Sequence, residues 1–137
     1  MLLPNNLSKA PRGIRNNNPG NIRFDGSTQW RGMIGDDSAG FIQFERAVFG
    51  IRAMTRILSS YSRRGVNTIG SIIATWAPPV ENNTSSYINS VAKKMGMAVD
   101  DLIFEQHYPE LIAAIIHHEN GQQPYSLETI KEGISLA

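Results

Sequence analysis

Leu111-Ile-Ala-Ala-Ile-Ile-His-His-Glu119-Asn-Gly121-Gln-Gln-Pro124 is the run on which the reading of this chain turns. Pro109 suits a first helical position, Ile112, Ile115, Ile116 and Glu119 recur at helical spacing, and Gly121 tolerates the left-handed backbone that stops a helix. The spacing predicts a helix from Tyr108 onward whose apolar face carries a carboxylate in its last turn. Desolvation beside isoleucines and the negative end of the helix dipole both disfavour the charged form of such a group. A carboxylic acid that keeps its proton near neutral pH is what general acid catalysis needs, which makes Glu119 the candidate catalytic residue. The plainer alternative is a Glu at a frayed helix end with its carboxylate in water. His117 and His118 point about 100° apart on a helix and do not form the spaced pair of a helical zinc motif. No metal and no cofactor is expected, and the two histidines complement the helix dipole.

Composition narrows the possibilities. At 137 residues with 41% hydrophobic content, the chain has the length of one compact domain with a sizeable core. Thirteen basic and 12 acidic residues give a formal net charge of +1, which argues against a nucleic-acid partner and suits a neutral or patchily charged polymer. Without cysteine there is neither a disulfide nor thiolate chemistry, and either redox compartment is open. The opening run Met1-Leu-Leu-Pro-Asn-Asn-Leu-Ser-Lys-Ala-Pro lacks the apolar centre of a signal peptide, and no apolar run approaches bilayer length, so no membrane insertion is expected.

Residues 1–12 carry two prolines, paired asparagines and no periodicity, and read as a loosely packed arm before a domain over 13–137. Asn16-Asn-Asn-Pro-Gly-Asn21 predicts a sharply folded loop with no helix, either a plain turn or a substrate-facing loop whose outward members are Asn21 and Arg23. Ile22–Phe24 and Thr28–Arg31 flank Asp25-Gly26 as a hairpin, and Ala39–Phe44 offers a third extended piece, together a small irregular antiparallel sheet. Trp30 is either a stacking platform or the largest core residue of that sheet. Asp36 and Asp37 make a turn, and they are the acids best placed to assist Glu119 if the sheet walls the opposite side of a cleft.

The remaining segments read as helices. Ile51, Met54, Leu58 and Tyr61 repeat through Phe49–Arg64, with arginines on a solvated outer face and Gly65 as the stop. Thr68 caps a short helix carrying Ile69, Ile72, Ile73 and Trp76, which Ala77-Pro78-Pro79 ends. After a loop holding Glu81 and Asn82, Thr84 caps a helix with Tyr87, Ile88, Val91 and Met95 on one face. Asp100 or Asp101 caps a short turn through Phe104, and Ser126 caps a last helix with Leu127, Ile130 and Ile134 inward.

Glu119-Asn120-Gly121 with Pro124, after an apolar helix, resembles the catalytic helix of lytic transglycosylases and flagellar-type glucosaminidases. Asn17-Asn18-Pro19-Gly20-Asn21-Ile22-Arg23, Trp30-Arg31-Gly32, Phe41-Ile42-Gln43-Phe44 and Gly50-Ile51-Arg52-Ala53 resemble the segment that follows that helix in those enzymes. Trp76-Ala-Pro-Pro-Val-Glu81-Asn82-Asn-Thr84-Ser-Ser-Tyr87 is a second similar block. Here the Glu helix comes last, so the order resembles a circularly permuted lysozyme-like domain of phage lytic and virion-associated proteins, over residues 12–136.

The resemblance implies a mainly α (α+β) lysozyme-like domain with a small β-lobe and the catalytic helix near the C-terminus. It implies cleavage of the β-1,4 bond between N-acetylmuramic acid and N-acetylglucosamine, with Glu119 as acid and then as base and with Tyr87 beside it. Asn21, Arg23, Trp30, Phe44, Glu81, Asn82, Asn120 and Gln122 would bind the glycan. The partner would be peptidoglycan, met in the periplasm by a monomer or virion component that a phage particle or a membrane pore delivers. Two alternatives stay open. One is a muramidase or glucosaminidase using Asp36, Asp37, Glu45 or Glu81 as second carboxylate, and the other is a non-catalytic virion protein that binds the wall.

Overall fold

The computed structural model describes residues 10–79 and 82–137. Most of the expected N-terminal arm lies outside them, and so does Glu81. The described residues form a mainly helical molecule with one small two-stranded sheet.

Its centre is the helix α5, Tyr108–Asn120, with Pro109 in its first turn and Gly121 closing it in the left-handed conformation. Leu111, Ile112, Ile115 and Ile116 are fully buried. Around it pack α2 (Ala47–Arg63), α4 (Thr84–Met95) and α6 (Leu127–Ser135), while α3 (Ile69–Trp76) packs on α4. Met54 and Leu58 of α2, Ile73 of α3, Val91 of α4 and Ile130 of α6 meet the α5 isoleucines in one apolar core.

The helix starts depend on local polar chemistry. Thr68 caps α3 reciprocally, its hydroxyl accepting from the Ser71 amide while the Ser71 hydroxyl accepts from the Thr68 amide. At α4 the cap is Asn83, not the expected Thr84: the Asn83 side chain accepts from the Ser86 amide, while the buried Thr84 hydroxyl donates to the Ala77 carbonyl at 2.7 Å. Thr84 thereby ties α4 to the proline stop behind α3. Asp101 does hold a turn, its carboxylate accepting from the Ala98 amide, but the turn stops short of Phe104, after which a separate 3₁₀ turn, Glu105–His107, forms with His107 Nδ1 accepting from the Phe104 amide. Leu127, expected inward, is 57% exposed, because the face of α6 that meets α2 begins only with Ile130.

The N-terminal lobe is built differently. A single-turn helix α1 (Arg12–Arg15) precedes β1 (Met33–Asp36) and β2 (Ile42–Phe44), which pair antiparallel with Met33 opposite Phe44 and Asp36 opposite Ile42. The hairpin expected around Asp25-Gly26 does not form. The Asp25 carboxylate accepts from the Ser27 and Thr28 amides and the Thr28 hydroxyl, which curls the chain away. Arg23 makes an isolated bridge with Phe41 instead. A second small core of Ile42, Phe44 and Ala53 is covered by Phe24, Trp30, Met33 and Phe49.

Asparagine side chains fix the path of the chain within this lobe. Asn16 donates to Asp37 and Asn17 to the Phe44 carbonyl, and fully buried Asn18 donates to the carbonyls of Ile22 and Ile42 while accepting from the Ile22 amide. The loop lies directly on α2: a Cβ on Gly50 would stand 2.2 Å from the Asn17 carbonyl oxygen.

Candidate active site

Glu119 lies where the two lobes meet. Its periodicity on α5 aims it along the buried face, and the helix ends one residue later, so the half-buried carboxylate emerges at the floor of a cleft of about 420 Å³. Asn21, 98 positions away in sequence, donates from Nδ2 to Glu119 Oε1 at 3.0 Å. The Tyr87 hydroxyl donates to Oε2 at 2.7 Å. Asn21 reaches it because its own backbone is left-handed, φ 50°, a conformation Asn tolerates better than most residues.

Tyr87 stands behind the carboxylate. It is 2% exposed, and its ring stacks on His118 with centroids 3.8 Å apart. Burial pushes its phenol far above the ordinary tyrosine range, and the neighbouring Glu119 charge and hydrogen bond add to this, with the Trp76 side chain opposing. Tyr87 thus presents its hydroxyl to Glu119 and does not itself line the cleft. Desolvation pushes the His118 imidazole down, Glu119 pulling the other way.

The remaining candidate residues divide. Arg23 lines the cleft with its guanidinium 4.4 Å over the Phe41 ring, and exposed Asn82 lines it while donating to the Pro78 carbonyl. Phe44, expected to touch glycan, is 1% exposed at the centre of the small core and has no surface to offer. Trp30 packs on that same core and does not line the cleft. Asn120 is buried, donating to the carbonyls of Pro19 and Ile116, which makes it a tie between loop and helix. Gln122 is exposed outside the cleft lining.

Asp36, Asp37 and Glu45 are also absent from the cleft lining, so Glu119 is its one carboxylate among the described residues. Asp37 is otherwise engaged. It accepts from the Phe41 and Ala39 amides and from Asn16, with Arg12 at 3.6 Å, and these contacts, led by the Phe41 amide, hold its carboxyl below the usual range. Among the described residues no group of three or more His, Cys, Asp or Glu could hold a metal, and no helix is long and apolar enough to cross a membrane.

Several wall residues escaped sequence reasoning, Phe41 among them. Ile57, Tyr61 and Trp76 line the cleft, although the last two read as members of helix core faces. Tyr61 and Trp76 sit in the last turns of α2 and α3, just before a glycine and a proline stop. There an apolar face runs past the core it covers, a signal that distinguishes them from mid-helix aromatics.

No family model matches the sequence. Among curated proteins, protein P5 of Pseudoalteromonas phage PM2 is 43% identical over 136 residues, spanning 96% of this chain and 85% of that protein. At this identity and coverage, the chain belongs to the family of protein P5 of Pseudoalteromonas phage PM2.

Proposed function

We propose that this protein cleaves the β-1,4 bond between N-acetylmuramic acid and N-acetylglucosamine in peptidoglycan, as a lytic transglycosylase on a circularly permuted lysozyme-like domain. The observation that carries the reading is one carboxylate, Glu119, at the floor of an aromatic-walled cleft, held by two neutral donors and with no second acid among the described lining residues. Tyr61 and Trp76 supply the apolar surface on which sugar rings pack, and Arg23 and Asn82 supply polar contacts, with Asn21 engaged on Glu119.

In this reaction Glu119 protonates the glycosidic oxygen as that bond breaks. The resulting carboxylate then takes the proton of the muramic acid C6 hydroxyl as that oxygen closes on C1, giving a 1,6-anhydro ring and returning Glu119 to its starting state. The substrate's own hydroxyl serves as nucleophile, so a second protein carboxylate to activate water is not required. Tyr87 and Asn21 steady the charged form between the two steps. The permuted order is supported by where the chain places its two ends of the motif: the Asn17–Arg23 run and the Glu119 helix, far apart in sequence, share one cleft. The phage relative supports a protein carried to the wall by a virion or released through a membrane pore.

The test is digestion of purified peptidoglycan with mass spectrometry of the soluble products. Anhydro-muramyl fragments are the expected result. Reducing-end muramic acid would show a hydrolase, reducing-end N-acetylglucosamine a glucosaminidase, and wall binding without release a structural protein.

A further inference from the structure

Two buried amide oxygens beside the site, Asn21 Oδ1 and Asn120 Oδ1, have no hydrogen-bond partner. Their orientation is not free. Asn120 faces the carbonyls of Pro19 and Ile116 and must present its NH₂ to them, and Asn21 presents its NH₂ to Glu119 Oε1, the arrangement that suits the ionised form Glu119 takes between the two proposed steps. Both oxygens are thereby turned to one point above Gly13. A Cβ built on Gly13 would lie 2.5 Å from Asn120 Oδ1, 2.9 Å from Asn21 Oδ1 and 2.9 Å from the Asn18 carbonyl oxygen. In glycine a Cα–H, a weak donor, occupies that direction. A buried carbonyl left unpaired is costly, so the arrangement persists only because something outside the pair fixes it.

From this geometry we infer that Gly13 and Asn120 are positioning residues for Glu119. Gly13 leaves the space in which the Asn21 amide turns its NH₂ to the carboxylate, and Asn120 ties the loop bearing Asn21 to the last turn of α5. The inference rests on Glu119 being the reacting acid. Gly13 does not line the cleft, so its effect reaches substrate only through Asn21 and Glu119. A side chain at position 13 displaces both amide oxygens and draws the Asn21 NH₂ off Oε1.

The test compares Gly13→Ala, Asn21→Ala and the double variant by two readouts. The first is the ¹H–¹⁵N signal of the Asn21 side-chain amide, which needs no activity. The second is kcat and KM on soluble peptidoglycan fragments. Gly13→Ala is expected to move the Asn21 amide signal and lower kcat roughly ten- to a hundredfold with KM unchanged. The double variant is expected to be no slower than Asn21→Ala alone, because the two act on one contact. If Gly13→Ala does not fold, the near-isosteric Asn120→Asp, which sets an acceptor against the Pro19 and Ile116 carbonyls, is expected to move the same signal. An Asn21 signal at its parental position in the folded variant, or additive losses in the double variant, overturns the inference. A moved signal in a protein that cleaves nothing even as parent would instead overturn the reading of Glu119.

Discussion

The two lobes that meet at Glu119 are stabilised by different means. The helical lobe closes over isoleucines, leucines and methionines on facing helices, so its geometry follows from area removed from water. The N-terminal lobe has a small apolar core and two short strands, and its chain path is fixed by the side-chain amides of Asn16, Asn17 and Asn18 bonding to backbone or to Asp37. Apolar packing is non-directional and tolerates adjustment, whereas an amide holds its partner within tenths of an ångström. The lobe that must deliver Asn21 to a carboxylate is the one built from directional bonds.

The largest break in this contrast is expected from Ile115→Ala, which opens a cavity against a fully buried face of α5. A loss of about 2–5 kcal/mol in denaturant unfolding is expected, with both lobes failing together because α5 supports each. Tyr87→Phe acts at the meeting point itself. It keeps the ring on His118 and removes the donor to Oε2, so folding is retained while turnover falls about ten- to a hundredfold, the equivalent of one hydrogen bond to a charged group. Unchanged turnover would show that the Tyr87 contact is only packing.

Asn18→Ala should spare the helices. It leaves the Ile22 amide and the Ile42 carbonyl short of a partner, while the Ile22 carbonyl keeps the Ile42 amide, at about 1–3 kcal/mol for a buried unpaired group. Hydrogen exchange is expected to quicken in residues 16–44 and stay slow in α5. Uniform quickening would mean that the lobes are one cooperative unit and that the division drawn here is false.

The smallest effect concerns Asp25, whose carboxyl is held down at about 2, first by the Thr28 hydroxyl and then by the Thr28 and Ser27 amides. A carboxyl with a depressed folded value stabilises above its ordinary value of 3.8 and loses that contribution as pH falls through about 2. Carboxyl NMR is expected to give a midpoint near that value, with the 25–28 turn opening over the same range. Asp25 is fully exposed, so the turn should open without global unfolding.

This same difference decided what was legible in the sequence. Period-3.6 spacing located α2 to α6 because each presents an apolar stripe to one core, and Glu119 was found by extending the α5 stripe one turn. Asn21 was marked by its turn chemistry. The hairpin at Asp25-Gly26 failed because a turn signature does not say whether the side chain will bond across a hairpin or curl its own backbone. The resemblance puts Phe44 and Trp30 on the glycan, while the residues alone leave Trp30 open between core and stacking platform, because aromatic residues serve either equally well; only the three-dimensional path separates Trp30, over a core, from Trp76, over the cleft. The Gly13 contact was invisible, since it joins residues more than a hundred positions apart through atoms that glycine lacks.

The most direct measurement is the initial rate of soluble glycan release from purified peptidoglycan by the parent protein and by Glu119→Gln, each first shown folded by circular dichroism and thermal unfolding. The substitution keeps the size of the side chain and removes its proton chemistry. Release by the parent and none above background by the variant is the expected result. Equal release by both proteins would contradict it and place the chemistry elsewhere in the molecule.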